Sequence, residues 1–222
     1  DWESSVDADN YTLMIKELNK QVKANNSNHL VVSTVGGGPW HPNHFNTSDY
    51  IDYVDLLNLM TYDMQVGYSR HQGALYAGYG AFGGCSVDET VSLYNSKGVP
   101  LNKMIVGIAF YGRQYDGSEG LSDGGTVLDD TTTAHSYSYL ATNYLNNASE
   151  ASSLFFDDEC GVPYIFNSTT GVFITYENNQ SIQLKCQYVK DNQMAGVMFW
   201  QYSQDNGDLI DAISDYQTLY KN

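Results

Sequence analysis

Positive charge is scarce in this sequence. Lys and Arg total 10 of 222 residues against 26 Asp and Glu, a net charge of −16. The only arginines are Arg70 and Arg113. Nucleic-acid binding needs clustered cations to neutralise phosphates, so that partner is excluded. Charged residues of both signs make up only 16%, against roughly 25% in an ordinary domain. A disordered acidic tail would carry more charge and fewer rings. No apolar run approaches the ~18 residues of a membrane span, so no membrane partner is expected. Cysteine is limited to Cys85, Cys160 and Cys186, whose spacings match no zinc pattern. One disulfide plus a free thiol and three buried thiols both stay open. No metal site and no cofactor are expected. The sequence opens Asp1-Trp2-Glu3, with no initiator Met and no signal peptide, as if cut from something longer.

What is abundant is tyrosine, with 19 residues, and apolar residues, at 42%. A neutral or weakly charged polymer is the easier large substrate for such a surface. A sugar offers apolar C–H faces and a rim of hydroxyls, which flat rings and hydrogen-bonding groups match. Tyrosines filling half-buried positions would look the same in composition.

Periodicity gives the elements. Ala8 to Asn25 carries Tyr11, Met14, Ile15, Leu18 and Val22 at helical spacing, with Asp7 or Asp9 as cap. Leu30–Val35 is a buried strand ending in Gly36-Gly37-Gly38, and Tyr50 to Val54 a short helix. Leu56–Tyr62 is the next buried strand. A Gly-rich loop runs from Gly67 to Gly84. Ser86-Val87-Asp88-Glu89 is a capping box that opens a helix to about Ser96. Lys103–Phe110 is a third strand, Ser181–Asn192 a helix, Ala195–Tyr202 a fourth strand, and Asp208 to about Tyr220 a last helix. Strands that are apolar on both faces and alternate with helices mean a parallel sheet covered by helices. Polar residues cluster at the strands' C-terminal ends: Tyr62-Asp63, Tyr111-Gly112-Arg113 and Trp200-Gln201-Tyr202. In a (β/α)8 barrel that end is the active face. No Gly-rich phosphate fingerprint follows a strand, which weakens a dinucleotide fold. Gly112 to Tyr176 is too long for one helix and reads as a small α+β domain inserted between the third and fourth strands.

Four carboxylates stand at strand ends or loop starts: Asp1, Glu3, Asp63 and Asp205. Residues i and i+2 share one face of a strand, so Asp1 and Glu3 can enter one pocket. Clustered carboxylates raise one pKa, which suits a general acid. Trp200 is read as site or core, and Trp40 as a sugar platform or a loop anchor. His41 and His44 are read as solvated loop histidines. Asp157-Asp158-Glu159 is read as an acidic edge.

Four motifs in order carry a resemblance: Asp1-Trp2-Glu3; Met60-Thr61-Tyr62-Asp63; Gly107-Ile108-Ala109-Phe110-Tyr111-Gly112-Arg113; and Gly196-Val197-Met198-Phe199-Trp200. Together they resemble the family 18 chitinases over nearly the whole chain, as does the stretch Phe156-Asp157-Asp158 to Pro163-Tyr164 with Lys185 after it. The resemblance implies an α/β fold, the C-terminal half of a (β/α)8 TIM barrel with a small α+β insertion domain. Residues 1–111 would run from the end of barrel strand four to strand seven, 112–176 would be the insertion, and 177–222 the last helix, strand and helix. The missing N-terminal half of the barrel would be a partner, and the fragment alone would be inactive. The implied activity is hydrolysis of chitin or chito-oligosaccharides by a secreted, extracellular enzyme. Glu3 would protonate the glycosidic oxygen, and the substrate's own 2-acetamido carbonyl would attack. Asp1, Tyr62 and Asp63 would hold that acetamido group. Met60 would line the floor and Trp200 would lie under the sugar. Tyr111, Arg113 and Trp40 would be further substrate-binding residues. A chitinase-like lectin and an endo-β-N-acetylglucosaminidase of the same family are the alternatives.

Overall fold

In the computed structural model, residues 7–65, 67–122, 126–127, 134–147, 149 and 153–219 are described. Apolar alternation builds a first sheet of four strands: β1 (Val32–Gly36), β2 (Leu56–Met60), β3 (Met104–Ala109) and β10 (Gly196–Trp200). Their order is β1-β2-β3-β10, and every pairing is parallel. Parallel neighbours need crossovers, and helices supply them. These are α1 (Ala8–Asn25), α2 (Trp40–His44), α3 (Val87–Ser96), α5 (Asn179–Asp191) and α6 (Asp208–Leu219). The Ser86 hydroxyl accepts from Glu89 N while Glu89 accepts from Ser86 N, so the capping box forms. Leu57, Leu59, Met104, Val106 and Val91 meet in one core cluster, and Ile108, Phe110, Ile182, Leu209 and Ile213 in a second.

Two local expectations change. The Tyr50–Val54 segment is a 3-10 turn over Ile51–Tyr53. The α1 stripe is narrower than its spacing suggests: Tyr11 and Ile15 are buried, while Met14 and Leu18 are exposed. Tyr11 bonds Ser33 of β1, and β1 has β2 as its only partner strand among the described residues. Val32 on β1 accordingly stays 46% exposed.

The chain leaves β3 at Phe110 and at once enters a second strand, β4 (Tyr111–Asp116). This strand was not evident in the sequence, where Tyr111-Gly112-Arg113 reads as the tail of β3. Gly112 makes the close packing possible. A Cβ there would lie 2.8 Å from Leu140 Cδ1 and 2.9 Å from the Thr175 carbonyl. β4 joins β5 (Thr126–Val127), β6 (Ala134–Ser136), β7 (Leu154–Asp157), β8 (Val162–Asn167) and β9 (Val172–Thr175) in an antiparallel sheet. The Tyr-rich piece forms α4 (Tyr137–Leu140) and a π turn over Ala141–Leu145.

Cys85, Cys160 and Cys186 are all free and buried, so the three-thiol alternative holds. His41 departs from the solvated reading. It is 4% exposed and stacks on Phe45 with ring centroids 4.3 Å apart. Two apolar-facing elements, α2 and α3, converge there, and Tyr94 Oη lies 3.2 Å from its Nδ1. Burial, and to a lesser degree the charge of His44, lowers the His41 pKa from 6.5 to about 4. Between those values the unfolded chain binds the extra proton, so stability rises with pH across that window. We expect His41 to cost on the order of 3 kcal/mol as pH falls from 6.5 to 4. Denaturant titrations of wild type and His41→Phe across that range check this. Parallel profiles for the two proteins would show that His41 does not couple to folding.

Candidate active site

Period-two alternation builds the site floor. Along β2 and its extension, Leu57, Leu59 and Thr61 are buried on one side, while Asn58, Met60 and Tyr62 line a cavity on the other. The Thr61 hydroxyl donates to the Gly107 carbonyl at 2.8 Å and accepts from Gly107 N at 3.0 Å, lacing the strand end to β3. Gly107 itself leaves space for the floor. A Cβ there would lie 2.4 Å from the Leu59 carbonyl, 2.9 Å from Met198 Cε and 3.0 Å from Tyr62 Cε1. Asp63 follows with φ 56, a left-handed turn that ends the strand.

Arg113, on β4, crosses to meet that turn. Its Nε and Nη2 donate to Asp63 Oδ1 and Oδ2 at 2.8 and 2.9 Å, a two-pronged grip that fixes the carboxylate plane. The guanidinium also lies 5.3 Å from the Tyr111 ring centre, and Tyr111 meets Tyr62 edge-on at 6.2 Å. Burial, aided by the charge of Asp63, pushes the Tyr62 hydroxyl up to about 12 and that of Tyr111 upward too. The hydrogen bond to Asp63 raises Arg113 further above its already high value. Tyr62 therefore keeps its proton, and its power to donate, at any pH where a protein works.

The cavity is about 640 Å³. Met60, Tyr62, Asp63, Tyr111, Arg113 and Trp200 all line it. Trp200 is 56% exposed in this four-stranded part of the barrel. Trp40 lines a neighbouring cavity of about 420 Å³ that shares Met60, Tyr62 and Asp63. Its ring stacks on His44 at 4.7 Å. Asp205 is elsewhere in chemistry: its carboxylate accepts from Leu209 N and Ile210 N at the start of α6. Asp1 and Glu3 lie outside the described residues. Thr34, Asn58, Met198 and Gln204 also line the cavity and were not singled out from sequence. Asn58 had a visible signal, a lone amide inside Leu-Leu-Asn-Leu-Met.

Chemically these groups match a neutral, hydroxyl-rich ring. They combine an apolar methionine floor, an exposed indole face, hydroxyl donors that stay protonated and an oriented carboxylate. Asp63 is the only carboxyl among the described lining residues, and Arg113 engages both of its oxygens. A proton donor for catalysis must come from a different residue.

The family model described as Glycosyl hydrolases family 18 matches residues 1–205. Chitinase ChiA of Flavobacterium johnsoniae is 32% identical over 57% of this chain and 11% of its own length. Chitinase B of Serratia marcescens is 26% identical over 97% of this chain and 56% of its own length. The chain thus spans about half, or far less, of these curated relatives. Among solved structures, the multi-modular chitinase ChiW from a Paenibacillus species aligns with TM-score 0.85 and 31% identity, over 99% of this chain and 26% of that one. A family 18 N-acetylglucosaminidase from Paenibacillus barengoltzii aligns with TM-score 0.84 and 29% identity, over 97% of this chain and 65% of that one. The likeness assigns the four parallel strands to a (β/α)8-type barrel architecture.

Proposed function

The chain belongs to glycosyl hydrolase family 18, and on that premise we propose that it carries the substrate-binding face of an enzyme that hydrolyses β-1,4-linked N-acetylglucosamine chains. The observation that carries this reading is the convergence of Met60, Tyr62, Asp63, Tyr111, Arg113 and Trp200 on one cavity. In this reading β1, β2 and β3 are barrel strands five to seven and β10 is the last strand. Asp1 and Glu3 end strand four, and residues 112–176 form an α+β insertion. The remaining barrel strands are the chain's partner. The enzyme acts outside the cell, where insoluble polysaccharide lies. Among the described residues no helix is long and apolar enough to cross a membrane.

The mechanism follows from what the side chains offer. A 2-acetamido group has a carbonyl that accepts and an N–H that donates. Tyr62 donates to the carbonyl oxygen and so holds it over the anomeric carbon. Asp63, turned by Arg113, accepts from the sugar or its amide. Trp200 packs under the apolar face of the distorted ring. Glu3 protonates the departing glycosidic oxygen, with Asp1 beside it to steady the amide. The acetamido oxygen attacks as the bond breaks, closing an oxazolinium ring; water then attacks the anomeric carbon and gives its proton to Glu3 as the ring's C–O bond breaks and the acetamido group re-forms. An attached nucleophile needs no separate encounter, and that is the source of its advantage.

A thiazoline analogue of the oxazolinium ring tests this mechanism. It mimics the intermediate and should inhibit competitively, well below the concentration at which N-acetylglucosamine does. Equal potency of the two compounds would discard substrate assistance. Product length decides the mode of action. Release of monomer alone would match the activity named for the Paenibacillus barengoltzii protein.

A further inference from the structure

Away from the cavity, three metal-ligating side chains meet where the loop after β2 rests on the second sheet. His71 Nε2 lies 2.9 Å from Asp157 Oδ2. One ring nitrogen of His71, one carboxylate oxygen of Asp157 and the Cys160 sulfur all lie within 4.8 Å of one another. His71 and Cys160 are fully buried and Asp157 is nearly so. The acidic edge expected for Asp157-Asp158-Glu159 is thus partly an interior cluster. From these donors we propose a binding site for a thiophilic divalent cation of the zinc class, formed by His71 Nε2, Asp157 Oδ2 and Cys160 Sγ.

The donor set decides the class of ion. Imidazole nitrogen with thiolate sulfur suits zinc, whereas calcium and magnesium take all-oxygen shells. Zinc bonds of ~2.0–2.3 Å require the three donors to rearrange around the ion, the His71–Asp157 hydrogen bond opening to admit it. The carboxylate is already oriented from behind. Asp157 Oδ1 accepts from Glu159 N at 3.0 Å and from Cys160 N at 3.1 Å, leaving Oδ2 for the cluster. Ligating carboxylates are commonly held this way.

Glycine backbone walls the cluster. A Cβ on Gly80 would fall 2.5 Å from His71 Nε2 and 2.7 Å from Asp157 Oδ2. One on Gly78 would fall 2.8 Å from Cys160 Sγ. Any larger residue would fill the space beside the donors.

Binding has a definite proton balance. The Cys160 thiol loses its proton to water as the sulfur–metal bond forms. In the bound form the His71 ring is neutral with its proton on Nδ1, and Nε2 gives its lone pair to the ion. His71 Nδ1 is buried without a partner in the fold, so the site should be weaker than a closed four-ligand structural one. Water completes the fourth corner. Its structural effect would be to tie loop 61–86, which carries one wall of the Trp40 cavity, to the β7–β8 turn.

Zinc alone is the probe, added to the chelator-treated intact protein. One equivalent should bind by calorimetry, and a hundredfold excess over Kd should raise Tm by roughly 5–10 °C. Cobalt in its place should give a thiolate charge-transfer band, retained in the Cys85→Ser/Cys186→Ser double variant. Cys160→Ser should abolish the band and the Tm shift while its metal-free melt stays near wild type. If Cys160→Ser does not fold, the cobalt band in the double variant still decides. No saturable zinc binding, or binding unchanged in a folded Cys160→Ser protein, overturns the site.

Discussion

Glu3→Gln in the intact protein is expected to lower kcat about 10²–10⁴-fold while oligosaccharide affinity stays near wild type. The reason begins with the cavity. Its one described carboxyl, Asp63, gives both oxygens to Arg113, so it is an acceptor and an orienting group, not a mobile proton source. Tyr62 holds its proton too tightly to transfer it, with a pKa near 12. The proposed acid is Glu3, two residues from Asp1 in the sequence, a spacing that puts both on one face if that segment is extended. Were the two to share one pocket, their mutual repulsion would raise the pKa of one of them, as a general acid needs. In the proposed mechanism the acetamido group is the nucleophile and one protein carboxyl does all the proton transfer, so removing it would leave no substitute. Glutamine keeps the shape and the hydrogen bonds of glutamate, so binding should survive. Initial rates on chito-oligosaccharides, paired with calorimetric binding of the same oligomers, separate the two effects. A rate within tenfold of wild type would remove Glu3 from the mechanism.

Sequence and structure agree best where a rule acts over a few residues. The capping box at Ser86 and the apolar runs that became β2 and β3 are legible because hydrophobic alternation and helix caps are local. The polar strand ends were legible too: Tyr62, Asp63 and Trp200 each stand where an apolar run stops, and all three line one cavity. What stayed hidden depends on partners far along the chain. The grip of Arg113 on Asp63 spans 50 residues and the contact of His71 with Asp157 spans 86. No periodicity announces either. β4 was hidden for another reason: only Phe110 separates it from β3, and its polar sequence Tyr-Gly-Arg-Gln-Tyr-Asp reads as the end of that strand. Thr34 and Asn58 sit inside strands that read as wholly apolar, yet period two turns them to the cavity side. His41 shows the reverse error: loop histidines look solvated until Phe45 and Tyr94 close around one of them.

Lys185 is a case in which the sequence held a signal that needed the fold to interpret. It shares the apolar stripe of α5 with Ile182, Cys186 and Val189. A lysine there is buried only if something neutralises it. Glu177 does so. Both side chains are essentially without solvent exposure, their ammonium and carboxylate are bonded directly, and Ser181 Oγ donates to Glu177 Oε2 at 2.7 Å. The pair also has no room for rearrangement, because a Cβ on Gly73 would fall 2.8 Å from Glu177 Oε1 and 3.1 Å from Lys185 Nζ. Lys185→Met removes the ammonium and leaves a carboxylate buried without its counter-ion. That is expected to cost about 3–5 kcal/mol, a large part of the 5–15 kcal/mol that holds a typical protein folded. The same Cβ on Gly73 would lie 3.3 Å from the Thr61 carbonyl, one residue before Tyr62, so the loss should also loosen the site floor. Removing both charges in Lys185→Met/Glu177→Leu should recover most of the stability, since a buried pair and an apolar replacement of similar volume are nearly equal in free energy. Urea midpoints of the single and double variants measure the coupling. A single variant within about 1 kcal/mol of wild type, or a double variant no better than the single, would mean that the pair does not act as a buried charge couple.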